Sequence, residues 1–330
     1  MTILQNELEK AARQSERIEN QAIRQLKGIY KQSEDVILNL IGQNMRKYAP
    51  EEMNKYGRME ALERDIYKEL GTMTQRERNL INAAIAAAYL SAYGRTAFGI
   101  EAEVQAKLAY REPLVRSAGK GARTAIEVLQ QRDFKNLAIQ RTTALTRMQI
   151  QRDLVAGMAQ GEGYREIAKK VHQTLLREDA DSALYRAARI TRTECGIARS
   201  IAQHESADHA FKMGIVMRKS WIATIDTRTR DAHGVLDGVE VAYDDDFESP
   251  AGGSGFGPRE MGNAADDIQC RCSLRFIVDE DAPSVRRIRG EGIVRDSKGK
   301  IIEKNVVPYR TYSEYAKEKG WKNKYKDFNL

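Results

Sequence analysis

From Leu4 to Lys47 the chain contains no proline, and only Gly28 and Gly42 interrupt a run rich in Glu, Gln, Arg, Ala and Leu. A run of strong helix formers without the residue that breaks the hydrogen-bond ladder predicts one long helix or a helical pair, ending before Pro50. Its apolar positions are sparse. Such a helix does not make a monomer core by itself, so it is expected to lie along a partner or a bundle neighbour. A second helix fits Glu51 to Leu70 and stops at Gly71. Thr74 with Glu77 has capping-box spacing and opens a third segment, LINAAIAAAYLSAYGRTAFGIEAEVQAKLAY, whose small residues allow close helix packing and which meets no proline before Pro113. Further helices fit Thr124 to Gln131, Ala144 to Met158 and Tyr164 to Leu176, the last two separated by Gly161, Glu162 and Gly163. That pair has helix-turn-helix spacing, but a generic helical hairpin is the better reading. Asp181 or Ser182 is placed to cap a long helix running to Gly214.

The hydrophobic period then changes. Ile215 to Ile225, Val239 to Tyr243 and Ser273 to Val278 are short, partly alternating, β-branched runs separated by Asp237-Gly238 and a glycine-rich loop, which predicts a small antiparallel sheet. Ile293 to Arg295 with Ile301 to Glu303 reads as a tail hairpin turning at Ser297-Lys298-Gly299, and Tyr312 to Lys319 as a last short helix. The fold class expected is mainly α with a small C-terminal α+β module: long N-terminal helices, a short antiparallel sheet and a basic tail with a hairpin and short helix. Residues 1–149 form a helical arm or bundle, 150–281 the module and 282–330 the tail.

With 330 residues, 42% hydrophobic and 31% charged, the chain can bury a sizeable core and is not a disordered sequence. No apolar stretch reaches the roughly 18 residues of a bilayer span. The N-terminus MTILQNELEK lacks the basic-then-apolar order of a secretory signal, so a start in a host cytoplasm and no membrane partner are expected. Three cysteines, Cys195, Cys270 and Cys272, cannot all pair within the chain, which leaves reduced thiols or a metal site.

The net charge of +7 hides a partition: residues 1–225 carry 36 basic and 27 acidic groups, residues 226–281 carry 5 and 14, and the last 49 carry 13 and 6. A basic tail with Arg286, Arg287, Arg289, Lys322, Lys324 and Lys326 suits a polyanion such as double-stranded DNA, or the acidic face of a neighbouring protein. An ordinary solvated tail fits as well.

Within the helix after Asp181, Glu194 falls on the apolar stripe of Ile190, Ile197 and Ile201, so its carboxylate points inward and needs a partner, expected to be Arg228 or Arg230. Trp221 closes a strand leading to Asp226-Thr-Arg-Thr-Arg-Asp-Ala-His233, where Asp226 or Thr227 can accept backbone N–H bonds and aim Arg228 and His233 from a rigid corner. Cys270-Arg271-Cys272 puts two thiols on one side of a strand and Arg271 on the other. A disulfide between them is strained, because α-carbons two apart in an extended strand lie about 6.5–7 Å apart, at the bridging limit. The thiols with His233 and Asp226 have the donor set of a zinc site, although the common spacing is C-x2-C; buried reduced thiols are the default reading. Ser249 to Pro258 lacks the Gly-Lys-Ser/Thr of a phosphate loop and reads as a mobile contact loop.

The ordered set Arg189-x-x-Arg192-Thr193-Glu194, Trp221, Asp226-x-Arg228-Thr229-x-x-x-His233, Leu236-Asp237-Gly238, a Gly/Pro loop and Cys270-Arg271-Cys272 resembles the phage-Mu-F-like head morphogenesis family of tailed bacteriophages, the minor head proteins. The resemblance covers about residues 150–280 and departs at Gln269, where the family commonly has Asn. It implies a non-enzymatic head component, located in the virion near the portal, with the portal protein, a major capsid or scaffolding protein and packaged DNA as partners. The competing class from the residues alone is a metal-dependent nuclease or related hydrolase using Glu194, Asp226, His233, Cys270 and Cys272. No pair of histidines at HxxxH or HExxH spacing supports it.

Overall fold

The computed structural model describes residues 2–53, 57–108, 118–177, 179–212 and 214–278, together with strand segments at 285–287, 293–295, 301–304 and 306–308. Helix α1 (Ile3–Lys47) is a single unbroken element of 45 residues. Leu4, Leu8, Ala11, Leu26, Tyr30, Ile37 and Ile41 are buried along it at helical spacing, so its apolar stripe is covered by the chain itself. A short α2 (Pro50–Met53) precedes α3 (Arg58–Leu108), which runs 51 residues.

Gly71 does not stop α3, and the expected Thr74–Glu77 cap does not form. Thr74 Oγ1 donates back to the Leu70 carbonyl at 2.8 Å and shares a hydrogen bond with Thr143, while the buried Glu77 accepts one from the Tyr30 hydroxyl at 2.9 Å. One interior glycine costs a helix only about 1 kcal/mol. Burial of Ile66, Leu70 and Met73 around it outweighs that cost.

Helix α4 (Ala118–Gln130) is followed by α5 (Asp133–Ala159), which starts 11 residues before the expected Ala144. Phe134 and Leu137 stand outside the buried stripe of Ile139, Ile150 and Leu154, and apolar residues on two faces hide the helical period of this stretch. Helix α6 (Tyr164–Leu176) has the predicted bounds. In α7 (Ala183–Lys212) Ser182 provides the cap, its Oγ accepting the Tyr185 N–H at 3.1 Å.

The remaining described elements are β1 (Arg218–Ile222), α8 (Asp231–Leu236), β2 (Glu240–Ala242), β3 (Phe247–Glu248), β4 (Ser254–Gly255), α9 (Ala264–Asp267), β5 (Ser273–Ile277), β6 (Val285–Arg287), β7 (Ile293–Arg295), β8 (Ile301–Lys304) and β9 (Val306–Pro308). The expected small sheet has the order β2-β1-β5, antiparallel throughout, with Ser220 opposite Glu240 and Trp221 opposite Leu274. The predicted tail hairpin is the β7–β8 pair, and β6 pairs with β9. The expected helix at Tyr312–Lys319 and the basic residues Arg289, Lys322, Lys324 and Lys326 lie outside the described residues; the backbone of Arg286 and Arg287 is in β6.

The chain divides into two compact units, each assembled from separate stretches. One comprises 17–86 and 127–194, with Leu26, Tyr30, Ile66, Ile150 and Ile167 in its core. The other comprises 1–16, 87–126 and 195–330, and its core joins Leu4, Ile100 and Val104 to Trp221, Phe247, Cys272 and Phe276. Gly99 permits the approach of α1 to α3 in this second unit: a Cβ there would lie 3.1 Å from the Leu4 α-carbon. Among the described residues no helix is long and apolar enough to cross a membrane.

Candidate functional site

The region 218–278 builds its site from two tight corners laid on the sheet. The first follows β1. Asp226 Oδ1 accepts the Arg228 N–H at 2.9 Å, as the capped-corner reading requires, and Asp237 Oδ1 accepts the Ala223 N–H at 2.7 Å. Gly238, at φ +83, then lets its N–H reach the Trp221 carbonyl at 2.8 Å. The short helix α8 rises from this corner and carries His233 into the interior, where it is 1% exposed.

Cys270 and Cys272 enter just before β5, both buried, with Arg271 directed to the other side as the alternation predicts. His233 Nδ1 lies 3.4 Å from Cys272 Sγ and 3.8 Å from Cys270 Sγ. On the opposite edge of the ring, His233 Nε2 bonds to Asp266 Oδ1 at 3.2 Å, and Ser249 Oγ donates to the same oxygen at 2.8 Å. The Trp221 ring packs edge-on against His233, with centroids 5.3 Å apart. Neither Cys270 nor Cys272 is in a disulfide.

Asp226 does not join the thiols. It receives Arg271 through both of its oxygens, one bond at 2.7 Å, because an arginine on the outward side of the strand reaches the corner first and forms a bidentate pair. Partial burial pushes the Asp226 carboxyl up, but the Arg271 guanidinium with the Arg228 N–H and charge outweighs it and holds the group below its ordinary value. Arg228 itself points to solvent, 3.9 Å from Asp226.

Glu194 is buried as predicted, but its cation is Arg132, at 3.7 Å, with Lys135 adding charge, in place of the expected Arg228 or Arg230. Arg230 donates to the carbonyls of Asp266 and Ile268. The residue before α5 supplies the partner because that helix begins earlier than its sequence pattern shows. Burial raises the Glu194 carboxyl against the pull of Arg132 and Lys135. Of the other residues in the expected set, Arg189 and Arg192 are exposed on α7, and Thr193 is buried, donating to the Arg189 carbonyl at 2.9 Å.

The Gly/Pro loop is packed. A Cβ on Gly255 would fall 1.9 Å from the Glu260 carbonyl oxygen, one on Gly257 2.6 Å from Leu274, and one on Gly253 2.5 Å from Asp266 Oδ2. Gly253, Gly255 and Gly257 serve close approach and Gly252 supplies a left-handed φ of +91, so the stretch expected to be a mobile contact loop is packed against its neighbours.

Behind the thiols, Arg199 and the buried Arg259 both donate to the Cys272 carbonyl at 3.0 Å, and Arg259 also reaches Ser200. Burial alone would raise Cys270, but the Cys272 and His233 hydrogen bonds and the Arg259 charge lower it, while its neighbour Cys272 is raised. Lys219, fully buried, places Nζ 3.5 Å from the Phe256 ring centroid, and burial pulls its ammonium down to about 8 against Asp246, Glu260, Asp245 and Asp244.

Over 267 residues, 80% of this chain and 80% of the relative, the sequence is 30% identical to minor head protein GP7 of Bacillus phage SPP1. The chain belongs to the phage Mu F-like family of minor head proteins. The family description "Phage Mu protein F like protein" matches residues 148–275, which hold the whole ordered set from Arg189 to Cys272. A second similarity, 36% identity over 135 residues, is to NAD(+)--arginine ADP-ribosyltransferase EFV of Enterococcus faecalis, and spans 41% of this chain and 26% of that protein. No solved structure matches the chain significantly.

In this Mu F-like protein Asp266, Arg259 and Lys219 are the site residues that sequence reasoning missed. Asp266 carries a weak local signal. It lies in the first turn of α9, capped by Asn263, four residues before Cys270. Lys219 and Arg259 read as solvated charges in any local pattern.

Proposed function

We propose that this chain is a non-enzymatic component of a tailed-phage head that docks on the portal and on capsid or scaffolding protein during assembly in the host cytoplasm. In the virion it then lies inside the head near the portal, with its basic C-terminal tail on double-stranded DNA. The similarity to a phage minor head protein over four-fifths of both chains carries the head reading. For docking, the supporting observation is α5. Phe134, Leu137, Met148 and Val155 are 46–62% exposed along the side away from its buried stripe, an apolar row suited to a protein contact. The non-enzymatic reading is supported by burial, since His233, Asp266, Cys270 and Cys272 are each 5% exposed or less, and by the assignment of Asp226 to Arg271 and Glu194 to Arg132. The match to the transferase is close in length to the Mu F-like segment and spans about a quarter of that protein, so we read it as a shared module rather than shared chemistry.

Incorporation into assembling heads tests the proposal. Copies per head are counted for the wild-type chain and for Phe134→Glu and Met148→Glu, substitutions of exposed side chains that leave the core intact. Both variants should incorporate several-fold less. Wild-type incorporation of both would remove α5 from the docking surface, and normal yield and infectivity of heads lacking the protein would remove the head function.

A further inference from the structure

We propose that His233 Nδ1, Cys270 Sγ and Cys272 Sγ hold a zinc ion, with the Asp266 carboxylate fixing the histidine from the second shell. This goes beyond head assembly and does not depend on it. Among the described residues these three form the only group of at least three metal-ligating side chains with donor atoms within 4.8 Å of one another, and all three are buried. The two nitrogen–sulfur separations are those of a tetrahedron. Zinc–sulfur bonds of about 2.3 Å and zinc–nitrogen bonds of about 2.0–2.1 Å at tetrahedral angles put nitrogen and sulfur about 3.6 Å apart. The two observed distances, 3.4 and 3.8 Å, bracket that value.

The surroundings point the same way. A zinc-bound histidine nearly always directs its other nitrogen to a carboxylate, carbonyl or water, which fixes the tautomer and raises ligand basicity. Here Nε2 meets Asp266, itself 0% exposed and oriented by Ser249. A carboxylate buried this deeply, with no arginine or lysine side chain paired to it among the described residues, is costly unless the group it holds carries positive charge at its far side. The donor chemistry also selects the metal, since two thiolates with one imidazole suit zinc over the oxygen-seeking calcium and magnesium. C-x-C spacing departs from the common C-x2-C, but here both sulfurs leave one side of an extended segment toward the same histidine. Three protein ligands leave one tetrahedral position for a solvent-derived ligand. The buried Trp221 Nε1, which has no partner among the described residues, belongs to the ring packed on His233.

Metal content of the full chain, purified under reducing conditions without chelator, is the test. About one zinc per chain is expected. Cys270→Ser and Cys272→Ser should lose it, whereas Cys195→Ser, which changes the one cysteine outside the group, should retain it. Asp266→Asn keeps every ligand and should weaken zinc affinity by about 10- to 100-fold in competition with a chromophoric chelator. Should the cysteine variants fail to fold, cobalt substitution of the wild-type chain decides instead: a thiolate-to-metal charge-transfer band with tetrahedral d–d bands supports the site, and their absence overturns it. The proposal is also overturned if the chain takes up no zinc after incubation with excess zinc chloride and desalting, if Cys270 and Cys272 are joined in a disulfide in freshly purified protein, or if Cys195→Ser loses the metal equally.

Discussion

The same substitution has opposite consequences at two glycines, because what matters is the space each one faces. At Gly255 a methyl group would overlap the Glu260 carbonyl oxygen, an atom of the backbone that cannot swing aside. Gly255→Ala should therefore destabilise the chain by about 3 kcal/mol or more. Gly28 is exposed within α1 with nothing within 4 Å of its position for a Cβ, so Gly28→Ala should stabilise by up to about 1 kcal/mol. Urea unfolding midpoints check both, and equal signs would refute the steric account. Glu77 gives a pH test. Burial raises its carboxyl to about 7 despite the Tyr30 hydroxyl and the Arg78 charge, which lower it. The folded chain thus keeps a proton that the unfolded chain releases, and stability falls as pH rises from about 4.5 to about 7 and levels off above. Glu77→Gln should gain stability over the wild type by up to about 3 kcal/mol more at pH 8 than at pH 4. The same difference at both pH values would show that the carboxyl is not raised. At Gln269 the backbone sits at φ +55, the left-handed region in which Asn is enriched over Gln, so Gln269→Asn should be tolerated there.

At the scale of elements, local signals located some ends and missed others. A cap at Asp181 or Ser182 is legible because such side chains before an apolar-periodic run favour helix starts, and the structure gives the bond to Ser182; Ser182→Ala should cost about 1 kcal/mol, measurable as a lowered unfolding midpoint. An unchanged midpoint would mean that the helix end is held by its packing alone. Gly71 and the Thr74–Glu77 pair predict a break, and the helix runs through both. Glycine's cost is intrinsic and small, whereas the packing that overrides it comes from side chains far away in sequence. The strands β1, β2 and β5 were legible as a set because β-branched alternation and the Asp237-Gly238 turn agree. At β1 the apolar run Ile215–Ile225 is longer than the strand, whose pairing covers Arg218–Ile222.

For the whole molecule, the DNA proposal rests on charge that is concentrated after Asp281. Affinity for double-stranded DNA should drop steeply between 50 and 200 mM salt, by as much as about a thousandfold if six or more phosphates are contacted, and truncation after Asp281 should abolish it. Salt-independent binding, or binding retained by the truncated chain, would exclude the tail as the contact. Each compact unit is assembled from stretches separated by tens of residues, such as 1–16 with 87–126 and 195–330. A pattern read in windows cannot see this, because helical periodicity tells which face is buried but not against what.

The sequence by itself determined the helical bulk, the antiparallel sheet, the inward turn of Glu194, the capped corner at Asp226 and the opposed directions of Arg271 and its flanking cysteines. All of these follow from dihedral preference and side-chain period, which act within a few residues. Only the tertiary structure decided that Glu194 meets Arg132, that Asp226 is held by Arg271 and that Asp266 stands behind His233. Those pairings join groups 33 to 62 residues apart, and a charge is matched there by whichever opposite group the packing of separate elements brings within reach before water does.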